Sequence, residues 1–275
     1  MKNLSADYPV WLCDIWGVVH NGITCYEAAA HALSQHRKQG GIVILVTNAP
    51  RTAKDVVLQL AHIGVPPQSY DRVVTSGDVT QTLVSDHAGG KVYHLGPARD
   101  LSVLEGQAVE RVALDKAHAV LCTGLAHDDV ETPADYVDLL ARMKELKLPM
   151  ICANPDKMVR KGSRLLYCAG ALAEKYAEIG GRVLMAGKPY EPIYSLALHK
   201  AGAIAGREFE RSKVLAIGDG PETDIKGAAD NGLDVVLVAD GVTDASDGLD
   251  ATLSRVKTKI PHAKIVKILH HLVWE

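Results

Sequence analysis

The chain has 275 residues, 47% of them hydrophobic and 23% charged, and a formal net charge of -3. That balance belongs to a globular protein with core enough for one large domain or two smaller ones. It excludes a basic field for nucleic acid or an anionic membrane surface, and a single phenylalanine argues against a base-stacking platform.

Five cysteines (Cys13, Cys25, Cys122, Cys152 and Cys168) are widely scattered, with no CxxC pair. Neither a disulfide framework nor a zinc site is indicated. The N-terminus has no cationic start followed by a long apolar stretch, and no run of about 18 apolar residues occurs. The expected setting is the reducing cytoplasm, without nucleic acid or membrane as a partner.

Taken in order, strand and helix signals alternate. Val10 to Cys13 is an apolar run ending on Asp14, with Gly17 close behind. It reads as a buried parallel strand, because it is too short for the usual globular helix. Glu27 to Gln39 has an Ala-rich helical pattern stopped by Gly40 and Gly41. Ile42 to Val46 is a second β-branched run, closing on Thr47, Asn48, Ala49, Pro50 and Arg51. A helix from Ala53 to His62, a strand from Arg72 to Ser76 and a helix from Val79 to Asp86 follow.

Residues 89 to 182 repeat the alternation independently. Val92 to Leu95, Ala119 to Cys122 and Met150 to Ala153 read as strands, and Tyr136 to Lys147 and Leu165 to Ile179 as helices. The first pattern then resumes. Val183 to Ala186 leads into Gly187, Lys188 and Pro189, and Tyr194 to Ala201 is helical. Lys213 to Asp219 is the most strand-like run of all and again ends on an acid. Thr223 to Asn231 reads as a helix, Val235 to Val238 as a strand, residues 241–259 as surface structure and Lys264 to Leu272 as a terminal helix. The fold class expected is α/β: a doubly wound parallel core sheet over residues 1–88 and 183–275, with an inserted α/β domain over residues 89–182.

Four fragments stand at a strand's C-terminal end or in the loop after it: Asp14, Thr47 with Asn48, Lys188, and Asp219 with Asp224. In an open parallel sheet such tips converge on one edge. Carboxylates gathered there repel one another unless a divalent cation lies between them. Hard oxygen ligands suit Mg²⁺, which keeps waters for a phosphate substrate. A lysine and a threonine hydroxyl suit phosphoryl oxygens, and an aspartate carboxylate can accept a phosphoryl group as nucleophile. The set therefore describes phosphoryl transfer through an aspartyl-phosphate.

Asp14-Ile-Trp-Gly-Val18, Thr47-Asn48, Gly187-Lys188-Pro189 and Gly218-Asp219-Gly-Pro-Glu-Thr-Asp224 together resemble the four ordered motifs of the haloacid dehalogenase superfamily. The insert between the second and third motifs resembles its class IIA branch of nucleotide and sugar phosphatases. The resemblance implies that Asp14 is nucleophile and magnesium ligand, and that the backbone carbonyl of Trp16 contacts the metal. It implies direct metal binding by Asp219, and binding by Asp224 directly or through water. Thr47, the Asn48 backbone region and Lys188 would hold the phosphoryl group, and Asn154 and Asp156 resemble a substrate-facing loop of the inserted cap. The implied partner is a small phosphorylated metabolite (a sugar, nucleotide or acyl phosphate), with a homo-oligomer among the compatible assemblies.

One position departs from the pattern. Hydrolases of this superfamily usually carry a second aspartate two residues after the nucleophile, as general acid and then base; here Trp16 stands there. An indole N–H neither donates a proton as an acid near neutral pH nor activates water. Losing such assistance costs about 10²- to 10⁴-fold in rate, which slows turnover without abolishing it. Two expectations follow: either leaving groups that depart unprotonated, such as aryl or acyl phosphates, are favoured, or His20 supplies the acid–base group. The alternative to an enzyme is a catalytically weak member that binds a phosphorylated metabolite as a sensor or partner module; intermolecular phosphotransfer would need a second substrate site. Arg51 and Lys54, at the start of a helix, read as solvated helix-face residues ahead of the alternative that they add positive charge over the phosphate site, and His94, His118 and His127 read as surface or structural residues.

Overall fold

The computed structural model describes residues 1–161, 164–241 and 245–275. Near the N-terminus lie β1 (Val10–Asp14), β2 (Ile42–Thr47) and β3 (Arg72–Thr75). There follow β4 (Lys91–Leu95), β5 (Glu110–Arg111), β6 (Ala119–Cys122), β7 (Met150–Cys152), β8 (Met158–Lys161), β9 (Arg164–Tyr167) and β10 (Val183–Met185). The C-terminal part adds β11 (Val214–Gly218), β12 (Asp234–Val238) and β13 (Ile265–Leu269).

Packing divides the chain into two compact units, the first made of residues 1–47, 56–74 and 188–275. Its sheet has the order β13-β12-β11-β1-β2-β3. The registers from β13 across to β2 are parallel. Every residue of β1, β2, β11 and β12 is buried, as strands covered on both faces must be. Each Val, Leu or Ile so buried contributes roughly 1.5–3 kcal/mol. Numbered within this sheet, the order is 3-2-1-4-5-6. The chain leaves β1 on one side and returns to β11 on the other, so the topological switch point lies between those two strands.

The second unit comprises residues 48–55 and 75–187. It has a parallel sheet of its own, ordered β10-β7-β6-β4-β5, and the antiparallel β8–β9 hairpin. The period-2 pattern of β6 feeds two cores. Ala119 and Leu121 pack with Val84, Val92 and Ile151, while Val120 and Cys122 pack with Leu140, Met143, Leu172 and Tyr176. Numbered within the unit, this sheet has the order 2-1-3-4-5, with its switch point between β4 and β6. The α/β, doubly wound fold class is as expected.

Several elements differ from the sequence-based expectations. Val183–Met185 does not reopen the first sheet; it pairs with Met150–Cys152 of the second, which moves the return to the first unit to Lys188. The helix Ser76–His87 packs on β7 and on the turn Ala98–Leu104, so it belongs to the second unit despite following β3 directly. Residues expected at the start of a helix form β9, and the helix begins only at Ala169. The expected terminal helix is β13, whose backbone completes the ladder beside β12. Its Ile265, Val266 and Ile268 favour a pleated surface over a short helix. Of the expected surface stretch 241–259, Leu249–Lys259 is a helix and residues 242–244 lie outside the described residues.

Candidate active site

Asp14 ends β1 and Asp219 follows β11, so the two acids stand at the switch point of the first sheet. Asp224 is brought round by a wide π-type turn over Pro221–Ile225, a helical irregularity frequent at functional sites. Its Oδ2 accepts the Gly220 N–H at 3.1 Å and the Thr223 hydroxyl at 3.3 Å. All three carboxylates are buried, with one oxygen of each within 4.8 Å of the others. Lys188 Nζ donates to Asp14 Oδ1, and to Asp224 Oδ1 at 2.6 Å.

The backbone is shaped around these acids. A Cβ at Gly17 would lie 2.2 Å from Asp219 Oδ2, one at Gly241 1.8 Å from the same oxygen, and one at Gly218 2.2 Å from Asp224 Cγ. Gly17 also holds φ +90°, where L side chains are strained. Only glycine lets the three loops close on the carboxylates.

One ammonium cannot balance three carboxylates. Repulsion between neighbouring acids at this spacing is roughly 3 kcal/mol per pair at an effective dielectric constant of about 20. Burial pushes the Asp14 carboxyl up to about 7; the Lys188 ammonium opposes this and the Asp224 charge adds to it. For Lys188, burial disfavours the charge, but Asp14 and Asp224 outweigh it and hold the ammonium well above lysine's ordinary value. Buried, oxygen-only and deficient in positive charge, the donor set fits a hard divalent cation such as Mg²⁺.

Thr47, the last residue of β2, is buried in the same unit. Trp16 is half-buried in the loop after β1, with its backbone bridged to His20 and its ring lying against Gly22. His20 is buried, and its Nδ1 accepts the Gly22 N–H at 2.9 Å, which assigns the ring proton to Nε2. Burial lowers its pKa to about 4. Near neutral pH the imidazole has already lost the proton a general acid must give, so this environment opposes the acid role expected for His20.

In the second unit, Asn48 Nδ2 donates to Asp156 Oδ1 at 2.9 Å, and Asn154 Oδ1 accepts the Asp156 N–H at 3.0 Å. Asn154 therefore shapes a turn around Pro155, and Asp156 is engaged with Asn48. His94, His118 and His127 serve separate places: His94 Nε2 meets the Thr123 hydroxyl, His118 Nδ1 meets the Gly89 carbonyl, and the His127 N–H donates to Glu131. Two features escaped the sequence reading. The Gly241 seat under Asp219 carried one faint signal, a glycine soon after a strand end. Asp100, buried beside Arg51, carried none.

Residues 11–110 match the family described as haloacid dehalogenase-like hydrolase, and residues 185–266 match a second, described as HAD-hydrolase-like. The crystal structure of a haloacid dehalogenase-like family hydrolase from Brucella suis 1330 is 45% identical, with a TM-score of 0.90 over 99% of this chain and 98% of that one. Ribonucleotide monophosphatase NagD of Escherichia coli strain K12 is 28% identical over 241 residues, covering 86% of this chain and 89% of its own. The crystal structure of glycerol phosphate phosphatase from Mycobacterium tuberculosis in complex with magnesium is 25% identical, with a TM-score of 0.73 over 99% of this chain and 78% of that one. The chain belongs to the haloacid dehalogenase superfamily, in its class IIA branch.

Proposed function

We propose that this chain is a phosphomonoester hydrolase that requires a divalent cation, Mg²⁺ by preference, and works through an aspartyl-phosphate on Asp14. The observation that carries the reading is the buried Lys188 ammonium between Asp14 and Asp224, with Asp219 completing a three-carboxylate set. When bound, the cation would be held by Asp14, Asp219, Asp224 and the Trp16 backbone carbonyl, and would neutralise charge on the phosphoryl oxygens. Lys188, the Thr47 hydroxyl and the backbone at Asn48 would hold and orient that group. Asp14 attacks phosphorus, and the bond to the organic oxygen breaks with its electron pair leaving on that oxygen. Water then attacks phosphorus and gives up a proton to solvent, the P–O bond to Asp14 breaks with its electron pair returning to Asp14, and the carboxylate is restored.

Neither Trp16 nor the neutral, buried His20 is suited to protonate the departing oxygen. The substrates served best would then be small phosphorylated metabolites with stable leaving anions, aryl or acyl phosphates ahead of alkyl esters. The test is phosphate release with Mg²⁺ from para-nitrophenyl phosphate and from sugar, nucleotide and acyl phosphates, run for the parent and Asp14→Asn. Turnover confined to the parent is expected; equal turnover by folded Asp14→Asn would refute the mechanism. The Trp16 replacement favours one competing reading, a binding module without useful turnover, and inert, folded, metal-loaded parent protein would favour that module.

A further inference from the structure

Asp224 reaches the carboxylate cluster on a segment that cannot hold itself in place. The Gly220 carbonyl accepts the N–H groups of both Asp224 and Ile225, at 2.8 and 3.1 Å, so the helical ladder slips by one residue at the π-type turn. The helix that follows, Lys226–Asp230, has five residues, far below the length at which a helix is stable alone. Asp224 Oδ2 is tied to Gly220 and Thr223 of the same turn, so a shift of the turn carries the carboxylate with it. Whatever fixes this turn from outside therefore fixes Asp224.

Tyr194, on the helix Glu191–Ala205, meets the turn, and both lie in the first unit. The residue is 2% exposed. Its hydroxyl faces the Thr223 carbonyl at 3.5 Å, a long hydrogen bond that contributes little by itself. The space the phenol occupies matters more. A Cβ at Gly227 would lie 2.1 Å from the Tyr194 hydroxyl and 2.9 Å from Pro189 Cα. Gly227 is thus the seat on which the phenol rests, three residues beyond Asp224, while Pro189 adjoins Lys188. Glycine inside a helix weakens it relative to alanine, so this short helix gives up stability to admit a hydroxyl. Packing alone does not call for that exchange. Burial first, then the Asp224 charge, raises the phenol's pKa against the opposing Lys188 ammonium, so the group stays a neutral donor.

We propose that Tyr194 is a positioning residue: its hydroxyl, seated on Gly227 and facing the Thr223 carbonyl, sets where the π-type turn presents Asp224 to the cation. This rests on the reading of Asp224 as a ligand of that cation.

Mg²⁺ affinity of the whole chain, measured by titration calorimetry, tests it in Tyr194→Phe, Gly227→Ala and the double variant. Tyr194→Phe removes one atom and should weaken Mg²⁺ binding about tenfold, the size expected for a group one step behind a ligand. Gly227→Ala drives a methyl group into the hydroxyl and should weaken binding by about tenfold or more. In the Gly227→Ala background, Tyr194→Phe relieves that collision and should strengthen binding. The reversal of sign is the signature, since two independent losses would add. In turnover, Tyr194→Phe should raise the Mg²⁺ concentration for half-maximal rate by the same factor, while KM for the ester moves little. The metal-free Tm separates positioning from packing. Single variants that melt lower but bind Mg²⁺ within about twofold of the parent would overturn the inference, because a group one step behind a ligand costs more than that. So would a Tyr194→Phe change that weakens binding equally in both backgrounds. Either result leaves the parent's Mg²⁺ binding and Asp14-dependent turnover standing. A folded parent that binds no Mg²⁺ would defeat both this inference and the reading beneath it.

Discussion

Replacing Lys188 by methionine keeps most of the side-chain volume and removes the internal cation of the carboxylate cluster. In the parent, that ammonium donates to both Asp14 and Asp224 at a site where all three groups are buried. Breaking a buried ion pair by deleting one partner costs about 3–5 kcal/mol, because the other charge is left uncompensated. For a unit of this size each kcal/mol shifts Tm by roughly 2–4 °C, so the metal-free variant should melt about 6–20 °C below the parent. Scanning calorimetry at pH 8 is the measurement, since proton uptake is least able to relieve the repulsion there. Saturating Mg²⁺ should then raise Tm more in the variant than in the parent, because the cation takes over the charge that the Lys188 ammonium no longer offsets at Asp14 and Asp224. A metal-free Tm within 2 °C of the parent would refute the view that Lys188 is what lets these acids share a buried site.

Three more outcomes follow from the same geometry. The Asp14 carboxyl is raised from 3.8 to about 7 by burial, so the native state holds that proton more tightly than the unfolded chain. Its contribution is present at low pH and lost as pH rises through 7, about 4 kcal/mol across the window, and urea midpoints of metal-free protein at successive pH values should fall accordingly, with Mg²⁺ flattening the trend. Gly241→Ala puts a methyl group into Asp219 Oδ2 and should weaken Mg²⁺ binding by about tenfold or more in titration calorimetry; affinity within twofold of the parent would count against the seat. Trp16→Asp should raise kcat/KM for alkyl relative to aryl phosphates by about 10²- to 10⁴-fold, and an unchanged ratio would mean that proton donation does not limit this enzyme.

Much of the first unit was legible in the amino-acid order. Val10–Asp14, Ile42–Thr47 and Val214–Gly218 are apolar runs closed by a polar or small residue, and double-sided burial in a parallel sheet demands that composition. The acids at their tips were legible for the same reason. What was not legible depends on pairing between distant segments. Val183–Met185 has equal local claim to either sheet and is assigned by its hydrogen bonds to Met150–Cys152. Ile265–Leu269 is short enough to suit helix or strand, and the open ladder beside β12 decides it. Nothing local to His20 marks it as buried; the bridges to Trp16 and Cys25 fold the loop so that it is. Asp100 is one acid among many in sequence, and only tertiary structure buries it beside two arginines.

The glycine seats also govern how this chain can drift. At Gly17, Gly218 and Gly241 every substitution adds the same Cβ, so the collision with Asp219 or Asp224 does not depend on which residue is introduced. Those positions are closed to gradual change. Trp16, between Asp14 and Gly17, stands under a different rule: it is half-buried and its ring rests against Gly22 rather than against the acids' glycine seats. Residue 16 already carries a large side chain, so it can change without driving a new Cβ into either carboxylate, as the three glycines cannot.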